Sequence, residues 1–208
     1  MNRPSTNSES KRPRRSKADL VDAALGILDD QGLPDLTMRR LAEVLGVQPS
    51  ALYWHFENKQ SLLAAVSERI LAPLSTVELN APSLTAAATV LGSRLHDCLL
   101  SYRDGAELVS SSLALGLIEP PLREPLAMTA RTLGESETLA HTAAEAITHF
   151  VVGYAFHEQQ RLQADTLGLL GSAPVLTPES ATGGSPEIAF DAVISLITAG
   201  IAAQAKQH

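Results

Sequence analysis

Three residues in the N-terminal quarter, Thr37, Gly46 and Pro49, constrain the fold most tightly, because they punctuate the run LTMRRLAEVLGVQPSALYWHF. A threonine in this position caps a helix by accepting a hydrogen bond from a backbone N–H one turn on, and Leu41, Ala42 and Leu45 then share one helical face. Gly46 can take the left-handed conformation that closes that helix. Pro49, whose missing N–H does no harm at a first helical position, opens the next, reading PSALYWHF. Two short helices must therefore meet across Val47 and Gln48.

A further helix precedes them. Ser16 is an N-cap with Asp19 three residues on, Leu20, Ala23, Ala24, Ile27 and Leu28 share a face, and Gly32 and Pro34 stop the run. Three helices with a glycine-containing turn between the second and third form the pattern of a helix-turn-helix. The chain has eight aromatic residues, and three of them, Tyr53, Trp54 and Phe56, fall within four positions. A helix cannot turn all three to one core. Leu52 and Phe56, four apart, can anchor inward, which leaves Tyr53 and His55 projecting outward, while Trp54 fits either side.

The rest of the 208 residues reads as helix too. Leucine and alanine recur at helical spacing and β-branched runs of strand length are almost absent, so the expected class is all-α. Asn58 caps a helix to about residue 72, and others are expected near 83–103, 106–117, 121–133, 137–164 and 186–205. Between the last two lies LGLLGSAPVLTPESATGGSP, rich in turn formers and read as a loop. The single cysteine, Cys98, excludes an intramolecular disulfide and a cysteine-based zinc site. No apolar run approaches the ~18 residues that span a bilayer, and the first fifteen residues hold no apolar stretch. No membrane partner and a cytoplasmic location are therefore expected.

Charge is unevenly shared. The net charge is −7, but residues 1–17 carry a local +5 and residues 63–208 carry −8. A basic head joined to an acidic body excludes a general polyanion binder and points to a localised nucleic-acid contact.

The run from Leu36 to Leu63, with Asn58-Lys59 and Leu62-Leu63 in place, closely resembles the DNA-binding domain of the TetR (tetracycline-repressor) family. The resemblance implies a flexible basic arm at 1–15, a three-helix helix-turn-helix DNA-binding domain at 16–62, and a helical ligand-binding and dimerisation domain at 63–208. It implies a homodimeric one-component repressor that binds a palindromic operator in double-stranded DNA and is released by a small-molecule effector. An activator or a ligand-insensitive regulator would share the same head. A helical small-molecule-binding protein or enzyme is the reading from another class, but no metalloprotease, phosphate-loop, dinucleotide or serine-hydrolase motif is present. No enzyme activity is expected.

Major-groove geometry assigns roles within that head. Residues at the start of the recognition helix reach base edges, so Pro49, Ser50 and Ala51 are positioned to read sequence, and Gln48 can offer its amide to adenine. Arg39 is the candidate for a bidentate contact to guanine, with a surface ion pair to Glu43 as its alternative. Thr37, Tyr53, His55 and Lys59 carry donors for phosphate oxygens, and Trp54 stands beside them. Lys11, Arg12, Arg14 and Arg15 would lie along or enter the minor groove. The tetracycline-repressor subgroup has Gln where this chain has Pro49 and Thr where it has Ala51, so a different operator is implied.

Two body segments, LLSYRDGAEL (Leu99 to Leu108) and HFVVGYAFHEQQ (His149 to Gln160), look like that subgroup. Its three polar contacts to a magnesium-tetracycline chelate fall here at Val109, His157 and Leu91, with Glu158 one residue away. Magnesium prefers carboxylate and water oxygens, so neither the metal nor tetracycline is carried over, and no cofactor is expected. The expected pocket is largely apolar, with Leu91, Leu95, Val109, Leu113, Leu117, Phe150, Tyr154 and His157 as lining or, equally, as core. It would suit a hydrophobic metabolite, aromatic or polyketide-like. Glu145 and His149 share a helix face with His157 but read as structural rather than metal-binding. The Ala-rich segments 137–164 and 186–205, with Gly153 and Gly200 inside them, are the expected homodimer interface, a four-helix bundle.

Overall fold

Side-chain caps fix where the first helices begin. In the computed structural model, which describes residues 15–77, 79–166 and 186–205, Ser16 and Asp19 form a reciprocal capping box, with Asp19 N–H donating to Ser16 Oγ at 3.2 Å and Ser16 N–H to Asp19 Oδ2 at 2.8 Å. Thr37 Oγ1 accepts from the Arg40 N–H at 3.1 Å, and Asn58 Oδ1 accepts from the Ser61 N–H at 2.9 Å. The resulting elements are α1 (Lys17–Gln31), α2 (Met38–Leu45), α3 (Pro49–Leu52) and α4 (Lys59–Leu71), with a 3-10 turn at Leu33–Asp35 and another at Ala72–Thr76. The body adds α5 (Leu84–Leu100), α6 (Gly105–Ala114), α7 (Arg123–Leu133), α8 (Glu137–Thr166) and α9 (Pro186–Ala205). Among the described residues the fold is all-α. The loop expected at 167–185 lies outside them.

Three expectations about helix ends need correction. The third helix stops at Leu52 instead of running through PSALYWHF, and Tyr53–His55 continue as a turn in which the His55 and Phe56 N–H groups both donate to the Leu52 carbonyl, at 2.9 and 3.0 Å. Tyr53, Trp54 and His55 supply no buried stripe to sustain a longer helix, and Asn58 starts the next one two residues after Phe56. α5 ends at Leu100, short of residue 103, because the chain turns sharply there: a Cβ on Gly105 would lie 2.6 Å from the Leu99 carbonyl oxygen. α6 ends at Ala114, and Gly116 at φ 64° takes the chain away from the helix before residue 117.

The head closes on Leu20, Leu28, Leu41, Leu52, Phe56 and Leu62, all buried. α4 packs on α1 on one side and on α5 and α6 on the other, so it joins head to body. α8 is the body's central helix, with α5, α6, α7 and α9 against it. Its Gln159, nearly buried, stitches the α5–α6 turn. Nε2 donates to the Leu99 and Tyr102 carbonyls at 3.0 and 2.9 Å, and Oε1 accepts from the Ala106 N–H at 3.1 Å.

Candidate nucleic-acid interface and body cavities

Gly46, at φ 64°, closes α2 and turns the chain so that α3 starts at the surface. Gln48, Pro49, Ser50 and Ala51 are all exposed there, while Leu52 and Phe56, each 1% exposed, hold the segment from beneath. Tyr53 is 55% exposed and Trp54 87%, which settles the outward side for the tryptophan.

Arg39 is exposed and makes no ion pair with another described residue. Its expected alternative partner, Glu43, is taken by Arg40 at 3.2 Å, and Arg40 is further held by Gln31 Oε1 at 3.0 Å. Thr37 uses its oxygen as an acceptor for the cap, so its hydroxyl proton stays available to a phosphate. His55 and Lys59 are half-buried, and Lys59 opens α4, where backbone N–H groups also favour an anion. Arg15 Nη2 donates to the Leu45 carbonyl at 3.3 Å, so this arginine braces the C-terminal end of α2. Lys17 Nζ sits 5.4 Å from the Phe56 ring centroid. Lys11, Arg12 and Arg14 lie outside the described residues.

The body places its candidates differently from one another. Leu91, Leu95 and Val109 are 0% exposed. They form core among α5, α6 and α8 and line neither the cavity at Leu113 nor the one at Glu158. Leu113 lines a cavity of about 310 Å³ between α6, the segment after it and α8. Leu117 is half-buried beyond the end of α6. Phe150 and Tyr154 join an aromatic cluster with Phe190, at 5.7 and 5.3 Å between centroids, and the His96 ring lies tilted against Phe190 at 4.5 Å. Burial first, and then the Glu158 carboxylate, push the Tyr154 hydroxyl above its ordinary pKa. His157 is exposed, with its ring 6.0 Å from that of Phe156.

Residues that sequence reasoning left outside the expected pocket lining carry the polar chemistry instead. Glu158, one position on, pairs with His96 at 2.9 Å and lines a second cavity of about 420 Å³ with Tyr154, Phe190 and Asp191. Thr148, in the 310 Å³ cavity, is the one buried side-chain polar atom without a partner among the described residues. The signal for it was present, since a threonine interrupts the apolar stripe of Ala144, Ile147, Val151 and Val152. Among the described residues no three His, Cys, Asp or Glu side chains gather as a metal site, and no helix is long and apolar enough to cross a membrane.

A recognition segment with small exposed residues, an arginine beside it that pairs with no described residue, and a helical body joined through α4 define a helix-turn-helix regulator of transcription. Residues 20–66 match the family described as bacterial regulatory proteins, tetR family, and residues 77–205 match the tetracyclin repressor-like C-terminal domain. The Escherichia coli tetracycline repressor protein class E is 32% identical over 199 residues, spanning 92% of each chain. The crystal structure of Mycobacterium smegmatis BioQ superposes with a TM-score of 0.76 at 40% identity, covering 91% of this chain and 98% of that one. BioQ with its natural double-stranded DNA operator gives 0.64 at 43% identity, covering 74% and 94%. The chain belongs to the TetR family: it is a DNA-binding transcription regulator and not an enzyme.

Proposed function

We propose that the protein is a repressor that holds a palindromic operator as a homodimer and is released by a small effector bound in its body. In this reading residues 16–62 read DNA, with Gln48, Pro49, Ser50, Ala51 and Arg39 at base edges. Thr37, Tyr53, Trp54, His55, Lys59 and the Lys11 to Arg15 arm serve at the backbone. Residues 63–208 bind the effector and dimerise through α8 and α9. The protein would act in the cytoplasm, where it meets bacterial DNA.

The observation that carries the reading is a buried link between cavity and head. Ser67 on α4 and Ser112 on α6 share a hydrogen bond of 2.8 Å, and both are essentially unexposed. α6 lines the 310 Å³ cavity and α4 carries the head, so a molecule that shifts α6 biases the spacing of the two reading surfaces. Release then follows from differential affinity of effector and DNA for two arrangements of the same dimer.

Selection of random duplexes by the purified protein at near-physiological salt tests the DNA half of the reading. Enrichment of a palindrome, bound by two chains per duplex, is the expected result. An asymmetric site bound by one chain would overturn the homodimer, and no enrichment would overturn sequence reading by this head.

A further inference from the structure

Thr148 departs from the habit of the six other described threonines that lie a turn or more inside a helix. Thr89, Thr129, Thr132, Thr142, Thr166 and Thr198 each donate to the carbonyl four residues back, at distances from 2.8 to 3.0 Å. That bond is the ordinary way for a threonine to settle its hydroxyl inside a helix. Thr148 is 2% exposed and its Oγ1 has no partner among the described residues. A buried hydroxyl in this condition is unfavourable unless something in the adjoining space bonds to it.

The adjoining space is the 310 Å³ cavity, at the lower end of the roughly 300–1,000 Å³ typical of small-molecule pockets. Its walls include Leu113, Ile118, Pro120 and Val152, and one corner is polar, formed by Ser110, Glu145, Thr148 and His149. His149 Nδ1 lies 2.8 Å from the Glu145 backbone carbonyl. A carbonyl can only accept, so Nδ1 carries a proton, with the Glu145 carboxylate also 3.7 Å from it, and Nε2 is the ring nitrogen left to accept in the Nδ1–H tautomer. The Glu145 carboxylate also only accepts. The corner thus presents a negative charge and a surplus of acceptors, beside a hydroxyl that can go either way.

We infer that this cavity binds apolar molecules that end in a protonated amine and discriminates against the same skeleton ending in a carboxylate. A primary ammonium has three N–H donors, enough for Glu145, His149 Nε2 and Thr148 Oγ1, while the apolar remainder meets Leu113, Ile118 and Val152. None of Leu91, Val109 and His157, the positions that match the chelate contacts of the tetracycline-repressor subgroup, lines this cavity. Binding of such an amine stands by itself, and only its consequence for DNA rests on the repressor reading above.

Calorimetry on the full chain with phenethylamine and with hydrocinnamate, which share a skeleton and differ in the charged end, tests the inference. Phenethylamine is expected to bind at least about tenfold more tightly. Glu145→Gln, at a half-exposed position, should erase that preference. Thr148→Val should weaken the amine by about three- to tenfold and leave the unliganded protein at least as resistant to heat, since the hydroxyl gives up no bond there. Equal or tighter binding of the acid, an unchanged preference in Glu145→Gln, or no binding of either probe would overturn the inference. An amine that binds as expected yet leaves operator DNA bound would uphold the site and overturn its role as the effector site.

Discussion

Asp104 grips the head of the molecule by a backbone group: its Oδ2 accepts the Leu33 N–H at 2.8 Å across 71 residues of sequence. Its other oxygen accepts from Gln163 Nε2 on α8, so the turn after α1, the start of α6 and the central helix meet at one carboxylate. Asp104 is the one described non-glycine residue with positive φ, at 54°, and Gly32 must stay bare because a Cβ there would lie 2.7 Å from Oδ2. Aspartate and asparagine tolerate that conformation better than alanine. Asp104→Ala should therefore cost about 1–3 kcal/mol in urea unfolding, because it leaves the Leu33 N–H unpaired. Asp104→Asn keeps one acceptor and should cost less. Equal losses in the two variants would mean that the bond to Leu33 contributes little.

Arg39 and Arg40 differ in their partners, and the difference predicts different phenotypes. Arg40 is tied to Glu43 and Gln31, whereas Arg39 is not paired with a described residue. Arg39→Ala should cost about 1–3 kcal/mol of discrimination at one base pair of each half-site. Lys59→Ala should weaken all sequences alike. Competition of the selected duplex against single-base variants separates the two outcomes, and a uniform loss in Arg39→Ala would reassign that residue to the backbone.

The head was legible because its signals are local. Ser16, Thr37, Asn58, Gly46 and Pro49 each act within a turn of their own position, and the structure uses all five as caps, stops or starts. The length of α3 was not legible, since whether Tyr53–His55 stay helical depends on burial that only the folded head decides. In the body the apolar pattern located helices but could not separate core from cavity. Leu91 and Leu113 look alike in sequence, yet one is sealed in the core and the other faces open space. The bonds made by Gln159 and Asp104 were hidden for a related reason. Their partners lie more than 50 residues away, and no local pattern encodes them.

Arg15 is held by the Leu45 carbonyl, so the arm can be tested without disturbing the head. Deletion of residues 1–14 removes Arg3, Lys11, Arg12 and Arg14 and spares that brace. Operator affinity should fall, and the slope of log affinity against log salt should flatten by about one unit for each phosphate that the arm no longer neutralises. Unchanged affinity and slope across two salt concentrations would remove the arm from the interface.

Cys98 is 3% exposed in the α5 core, and burial holds its thiol above the ordinary pKa. The thiolate is the reactive form, so both access and ionisation are suppressed in the folded protein. Iodoacetamide at neutral pH should leave Cys98 unmodified in native protein and label it fully in urea, as read by intact mass. Rapid labelling of native protein would show that the body opens locally around α5.

The proposed dimer interface makes opposite demands on two positions of α9. Leu196 is 73% exposed in the single chain, and Leu162 on α8 is 61% exposed, so both side chains are open to a partner helix. Gly200 is exposed, and a Cβ there would meet nothing within 4 Å in its own chain. If α9 faced only solvent, Gly200→Ala should stabilise the protein by about 1 kcal/mol through helix propensity alone. Against a closely approaching helix of a second copy, the added methyl should instead weaken the dimer. Leu196→Arg should push the protein towards monomers and abolish operator binding, while the head keeps its fold. Sedimentation and duplex binding on both variants decide it: a dimer that tolerates Leu196→Arg, together with a more stable Gly200→Ala, would place the interface elsewhere.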